Sequence, residues 1–351
     1  MSILGSLSGT SNWLPMSALS DSEVNSNTAD AAQGSSAGAS SEPMNASHAT
    51  LPPPNDEDRL NFDYIQAVNT LHNPDNFAKV ASRGGNKNSI GIDDIRDFLS
   101  LKISTDPSNA ELTRACNYLL DEYNKPLHGA FGKMDYAAAN LSNKAGSNPS
   151  PPDDCIGKSD INCLYADACK VKVTPTNKDG SQALDDKAFN FNAKNPYAAL
   201  ATRMALQQTG KPYVRGSEID PTKGFDCSGL TKWSYSQAGI DLPRESWKQG
   251  DGLQPVSSKQ DLQPGDLIVW NQGKKDGMGH VAMYVGNGYI VEAPELGKNV
   301  RCVKLDDTYK SDGNNSKMLP IGDKPFKGYY RPTEKTETKL PGWQHTFPKN
   351  S

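Results

Sequence analysis

The 351-residue chain has no long apolar run, no excess of positive charge and no opening segment of the kind that directs secretion. A bilayer span needs roughly 20 consecutive apolar residues. With 35% hydrophobic and 22% charged residues, and nothing approaching such a run, the sequence predicts no membrane span. The formal net charge of −4, with no dominant cluster of Lys and Arg, leaves no electrostatic footprint for a phosphate backbone and argues against a nucleic-acid partner. Met1 to Ser20 lacks a basic region followed by an apolar one, so export, if it occurs, is expected by a route other than a conventional signal peptide. Large apolar side chains are also scarce over residues 1–55, which are rich in Ser, Ala, Asn and Gly and end in Leu51-Pro52-Pro53-Pro54. Too little burial is available there to offset the entropy of ordering, and a disordered leader is expected.

Cysteine is sparse. Of the six, Cys155, Cys163 and Cys169 crowd together, with Cys116 upstream and Cys302 far downstream. Their spacings match no zinc pattern, so no metal or other cofactor is expected, whereas a disulfide among Cys116, Cys155, Cys163 and Cys169 is. Cys302, in Val300-Arg301-Cys302-Val303, reads as a buried strand residue.

What the chain does contain falls into regions. Residues 56–142 have helical periodicity: Leu60, Tyr64, Ala67, Val68 and Leu71 share one face, followed by similar sets through Leu120. This predicts a small all-α domain. Phe77 to Leu99 resembles the helix-loop-helix of an EF-hand, with Ile90 and Asp94 at the central apolar position and the last ligand. Arg83, Gly85 and Lys87 occupy the earlier ligand positions and cannot supply an oxygen cage, so no calcium is expected. Residues 143–190, heavy in Asn, Asp, Pro, Lys and Ser, read as an irregular Cys-containing connection. Residues 191–335 follow with helices first and strands afterwards, an α+β arrangement, and residues 336–351 form a tail.

Three side chains in the α+β region form a nucleophile, a base and an orienting group. Cys227 follows Asp226, a capping residue, and opens an amphipathic stretch that stops at Gly239. The helix dipole and the unpaired first-turn N–H groups favour a thiolate there. His280 begins the strand-like run His280-Val281-Ala282-Met283-Tyr284-Val285, and Glu292 ends Tyr289-Ile290-Val291-Glu292 beyond a Gly286-Asn287-Gly288 turn. With a loop of Asn287-Gly288 alone, Glu292 would pair with Met283 and lie on the face opposite His280. With a loop of Gly286 to Gly288, Val285 pairs with Tyr289, Glu292 opposes Ala282, and Glu292 becomes the same-face diagonal neighbour of His280 at roughly 7–8 Å between backbones. The three-residue loop is the expected register. Cys227 would then attack, His280 would move the proton, and Glu292 would hold the ring. Tyr213, Asp226, Ser228, Arg244 and Trp233 are the candidate substrate-binding residues, with the Tyr213 hydroxyl and a backbone N–H near Cys227 as candidate oxyanion donors.

The ordered set Gly210-Lys211-Pro212-Tyr213, Asp226-Cys227-Ser228-Gly229, Leu242-Pro243-Arg244 with Ser246 and Gln249, Leu262-Gln263-Pro264-Gly265-Asp266-Leu267, and Gly279-His280-Val281 with Tyr284-Val285-Gly286 resembles the NlpC/P60 family of papain-like cysteine peptidases. The resemblance runs from about Tyr197 to Arg331. It implies helices packed on an antiparallel sheet and metal-free hydrolysis of peptidoglycan stem peptides, often between D-glutamate and diaminopimelate. Many relatives have His where this chain has Glu292, and a carboxylate can do the same orienting work. In context, the expectation is an endopeptidase acting in the periplasm or cell wall, delivered as an antibacterial toxin by a specialised secretion apparatus and countered by an immunity protein. The alternatives are a wall-remodelling hydrolase of the producer, an acyltransferase or amidase on a non-wall substrate, and a catalytically silent wall-binding module.

Overall fold

Two short segments with the same pattern, Ile90-Gly91-x-x-Asp94-Ile95 and Ile156-Gly157-x-x-Asp160-Ile161, organise the first half of the molecule. In the computed structural model, which describes residues 55–333 apart from 56, 82–86, 136–154, 185, 218–221, 313 and 315, they form β1 (Ser89–Gly91) and β2 (Cys155–Gly157). These pair antiparallel with Ile90 opposite Ile156, both fully buried. Each strand runs directly into a helix, α3 (Ile92–Ser100) after β1 and α6 (Lys158–Ala168) after β2. The third helical residue of each turns its carboxylate back on the chain: Asp94 accepts from Gly91 N–H and Asp160 from Gly157 N–H, both at 2.9 Å. These bonds satisfy donors that a helix start leaves open. Asp94, the candidate last ligand, is engaged in this cap. The leader expected over 1–55, save Asn55, and the tail over 336–351 lie outside the described residues.

The remaining helices of this half are α1 (Phe62–His72), α2 (Pro74–Ala81), α4 (Ala110–Tyr123) and α5 (Gly129–Asp135). Asn61 caps α1 by accepting from Asp63 N–H at 2.9 Å and Tyr64 N–H at 3.2 Å, which fixes the helix phase so that Tyr64, Ala67, Val68 and Leu71 point inward.

Residues 143–190 depart from the irregular connection expected of them. Besides β2 and α6 they contain β3 (Lys170–Val173) and the first half of β4 (Phe189–Asn192), paired antiparallel. The elements are short and polar on one side, which diluted their hydrophobic signal; Ile156, Ile161, Leu164, Val171 and Val173 are nonetheless buried. Cys116, Cys163 and Cys169 keep their thiols, so the disulfide expected among them and Cys155 is not formed. Cys116 lies in the helical core, and Cys163 and Cys169 sit six positions apart, well away from a common helix face. Burial pushes the Cys116 thiol up to about 12 and Cys169 to about 11, which suits inert core thiols.

The second half is built on a six-stranded sheet in the order β5-β10-β6-β7-β8-β9, antiparallel throughout. Its strands are β5 (Gln254–Val256), β6 (Leu267–Trp270), β7 (His280–Gly286), β8 (Tyr289–Glu292), β9 (Arg301–Lys304) and β10 (Phe326–Arg331). Two helices, α7 (Pro196–Leu206) and α8 (Cys227–Gln237), pack on each other, and α8 lies against β7. On this side Val269, Val281, Met283, Val291 and Cys302 join the main core. On the other, Ile268, Trp270, Ala282, Tyr284, Ile290 and Val303 form a second cluster covered by Leu305 and Met318. Burial on both faces explains why β6, β7 and β8 read as unbroken apolar runs.

Hydrophobic contact does not stop at the boundary between the halves. Tyr64, Ile65 and Leu164 belong to the same cluster as Leu200, Leu230 and Met283. Arg203 on α7 ties the seam, donating to the carbonyls of Arg59 (2.8 Å) and Lys170 (2.7 Å). Among the described residues no helix is long and apolar enough to cross a membrane.

Candidate active site

The first turn of α8 is fixed by its cap. Asp226 Oδ1 accepts from Gly229 N–H at 2.7 Å and Oδ2 from Gly216 N–H at 2.8 Å, while Arg244 pairs with the same carboxylate. Arg244 Nη1 also donates to Ser228 Oγ at 2.8 Å. Asp226, Ser228 and Arg244, three of the candidate substrate contacts, are thus bonded to one another, clamping the loop after α8 onto the helix start. Trp233 sits six residues along α8 from Cys227, roughly 9 Å at the helical rise, with its ring packed on Phe225 at 5.4 Å. Tyr213 is the exception. It bridges to Phe225 and is half-buried beside Cys227; burial first, then negative charge at Cys227 and Asp226, pushes its hydroxyl up to about 12.

The hairpin register combines both readings of the turn. Met283 pairs with Val291 and Tyr284 with Ile290, the alignment expected of the three-residue loop, but at the tip Gly286 pairs with Tyr289. Val285 is the extra residue of a bulge, and the turn proper is Asn287-Gly288, with φ of 50° and 78°. Both residues have the positive φ of a type I′ turn, whose twist suits a tight hairpin. The bulge absorbs one residue, so Glu292 stays on the His280 face.

His280 begins β7, Glu292 ends β8 and Arg301 begins β9, so three adjacent strand ends converge. His280 Nε2 lies 2.8 Å from Glu292 Oε2, and the Cys227 side chain stands close enough to the imidazole to raise its pKa. Arg301, directly opposite Glu292 in the ladder, donates to Oε1 through Nε (3.0 Å) and Nη2 (2.8 Å). The Tyr309 hydroxyl donates to Glu292 Oε2 at 2.6 Å and lies 3.1 Å from His280 Nε2. Trp270, opposite His280 on β6, closes the other side with ring centroids 5.6 Å apart.

The electrostatics follow from this packing. Burial alone would push His280 down; hydrogen bonds to Cys227 and Glu292, and their charges, outweigh it and hold the imidazole up at about 10. Burial would raise Glu292, but the hydrogen bond and charge of His280, the charge of Arg301 and the Tyr309 bond hold it below the usual carboxylate range. The arrangement can therefore keep an imidazolium beside a buried sulfur, with a carboxylate behind it.

Comparison with known proteins fits this picture: the model of the NlpC/P60 family matches residues 210–315. The chain carries an NlpC/P60 domain in its C-terminal part. Three curated relatives illustrate the likeness. A probable endopeptidase of Mycobacterium tuberculosis is 40% identical over 104 residues, covering 30% of this chain and 25% of the relative. The bifunctional muramidase/DL-endopeptidase CwlT of Bacillus subtilis is 40% identical over 95 residues, covering 26% and 28%. The gamma-DL-glutamyl hydrolase of the same species is 36% identical over 111 residues, covering 30% and 26%. The chain thus spans about a quarter of the length of these relatives. Among solved structures, an NlpC/P60 family protein from Bacillus cereus matches at 28% identity over 43% of this chain and 46% of that one, with a TM-score of 0.31.

Within the NlpC/P60 domain, sequence pattern alone does not single out Arg301 or Tyr309. Arg301 was readable as the opposite-charge partner of Glu292 only once the β8–β9 register was known. Tyr309 lies in the segment between β9 and β10 and leaves no periodic signal. Among the described residues no group of three or more His, Cys, Asp or Glu is placed to hold a metal.

Proposed function

We propose that the protein is a cysteine endopeptidase that cleaves peptidoglycan stem peptides, at the D-glutamyl–diaminopimelate bond. The observation that carries this reading is the buried placement of Cys227 beside His280, whose ring is bonded in turn to Glu292. The Cys227 sulfur attacks the scissile carbonyl to give a tetrahedral oxyanion, held by the first-turn N–H of Cys227 and the Tyr213 hydroxyl. Collapse breaks the C–N bond as His280 gives its proton to the leaving amine. His280 then takes a proton from water, whose oxygen attacks the thioester and regenerates the thiolate and the free acid. Endopeptidase and glutamyl-hydrolase names among the relatives support the substrate class. Their names also support the peptidase over an acyltransferase.

The proposal includes action in the periplasm or cell wall, where such a substrate lies. Delivery there by a specialised secretion apparatus, as an antibacterial toxin met by an immunity protein, is the part of this proposal that rests on sequence alone.

The test is digestion of purified peptidoglycan by the full chain beside Cys227→Ala, read by mass spectrometry of the muropeptides. New amino termini on diaminopimelate, released only by the parent protein, are expected; intact stem peptides with retained wall binding would instead indicate a silent binding module. Expression in the periplasm tests the toxin: lysis by the parent protein and none by Cys227→Ala is expected, and equal growth would overturn it.

A further inference from the structure

Glu292 is enclosed on every side that can carry charge. Around it and His280 stand Cys227 from α8, Arg301 from β9, Tyr309 from the segment after β9, Glu295 from the β8–β9 loop, and Tyr213 beside Cys227. Among the described residues Arg301 is the one permanent cation bonded to Glu292. The residue is 6% exposed, and its guanidinium commits Nε and Nη2 to Glu292 Oε1. Nη1 donates to the backbone carbonyl of Lys178 at 3.2 Å. Lys178 belongs to a strap that runs along the outer edge of β9: Thr176 N–H donates to Cys302 O at 2.7 Å, and Cys302 N–H donates to Thr176 Oγ1 at 2.8 Å. At Gly180, φ is +87° and an added Cβ would stand 2.6 Å from Val300 O, so the strap lies against the strand too closely for a side chain. This strap precedes the matched NlpC/P60 residues 210–315.

We propose that Arg301, seated by the strap carbonyl of Lys178, is a positioning residue that keeps Glu292 ionised with Oε2 presented to His280. The proposal rests on the Cys227–His280–Glu292 reading above. A carboxylate at 1% exposure that loses its cation is driven toward protonation by its surroundings. A neutral Glu292 supports the imidazolium less well, and with it the reactive sulfur. The strap thereby makes residues outside the family-matched stretch part of the device that orients the imidazole. A planar fork fills both the carboxylate and the carbonyl at once; a lysine ammonium supplies the charge without that geometry.

The test is the pH dependence of iodoacetamide alkylation at Cys227 in the full chain, read on the Cys227 peptide by mass spectrometry, which needs no knowledge of the substrate. In the parent protein alkylation should be faster than in His280→Ala at neutral pH and should fall off along an acid limb. Arg301→Met should move the acid limb up by about one pH unit, seen as alkylation about tenfold slower at a fixed acidic pH, with Arg301→Lys between the two. Limbs that coincide in all three proteins overturn the proposal. A parent protein alkylated no faster than His280→Ala overturns the Cys227–His280 reading beneath it. If Arg301→Met does not fold, as judged by circular dichroism, the Arg301→Lys comparison decides, because a purely structural arginine would leave the limb where it is.

Discussion

Glu292 and His280 form a buried ion pair whose worth depends on pH in a stated direction. The folded value of His280, about 10, lies above its ordinary 6.5, so its stabilisation is whole below about 6.5 and is lost as pH rises through about 10. Glu292 is depressed, so its stabilisation is present above its unfolded value and is lost as pH falls through the folded one. The excess thermal stability of the parent protein over His280→Gln should therefore shrink progressively between about pH 6.5 and 10; a constant difference across that range would contradict the pairing. Glu292→Gln keeps a hydrogen bond to the ring but strands Arg301 as a buried unpaired cation. It should cost about 3 kcal/mol in urea denaturation and slow peptidoglycan cleavage roughly 100-fold or more. The Cys227–His280–Glu292 contact was legible in the sequence because a helix cap and a period-of-two hairpin place side chains by rule. Arg301 and Tyr309 were not, since the register across the loop from Ala293 to Val300 follows from packing rather than from any local pattern.

Among the elements, the β7–β8 tip shows both how far turn chemistry reads and where it stops. Asn287-Gly288 announces a two-residue turn, and the alternation of apolar residues demands the other alignment; a bulge at Val285 satisfies both. Gly288 has φ of 78° and open space around the position of a Cβ, so Gly288→Val tests the backbone alone. A loss of about 1–2 kcal/mol in urea denaturation is expected, while Asn287→Gly should be nearly neutral. The paired caps of α3 and α6 offer a second test. Asp94→Ala and Asp160→Ala should each cost about 0.5–2 kcal/mol, and calcium should leave the melting temperature of the parent protein unchanged. The first of these helix-loop-helix units was readable from Phe77 to Leu99, but its partner was hidden by the polar composition of residues 143–190. The repeated Ile-Gly-x-x-Asp-Ile was the available signal.

For the whole molecule, the consequential fact is the shared core. The sequence separated a helical segment from an α+β segment by composition, and that contrast is real locally. Composition could not reveal that Tyr64 and Leu164 pack in one cluster with Leu200 and Leu230, or that α6 and β3 both contact α7, because such contacts join residues far apart in the chain. A fragment of residues 191–335 should therefore expose apolar surface that the intact chain covers, and lose the strap that seats Arg301. Such a fragment is expected to melt well below the full chain or fail to fold, as judged by calorimetry; a fragment as stable as the parent would show that the shared core contributes little.

The protonation state of His280 tests the central claim most directly. Nitrogen-15 NMR can follow the imidazoles of the five histidines, with His280 assigned by its loss in His280→Ala. In the parent protein the His280 ring should remain an imidazolium through neutral pH and titrate near 10, and in Cys227→Ala it should titrate lower, having lost the sulfur's hydrogen bond and charge. A His280 ring that titrates in the ordinary range near 6.5, unaltered by removal of the Cys227 thiol, would contradict the account.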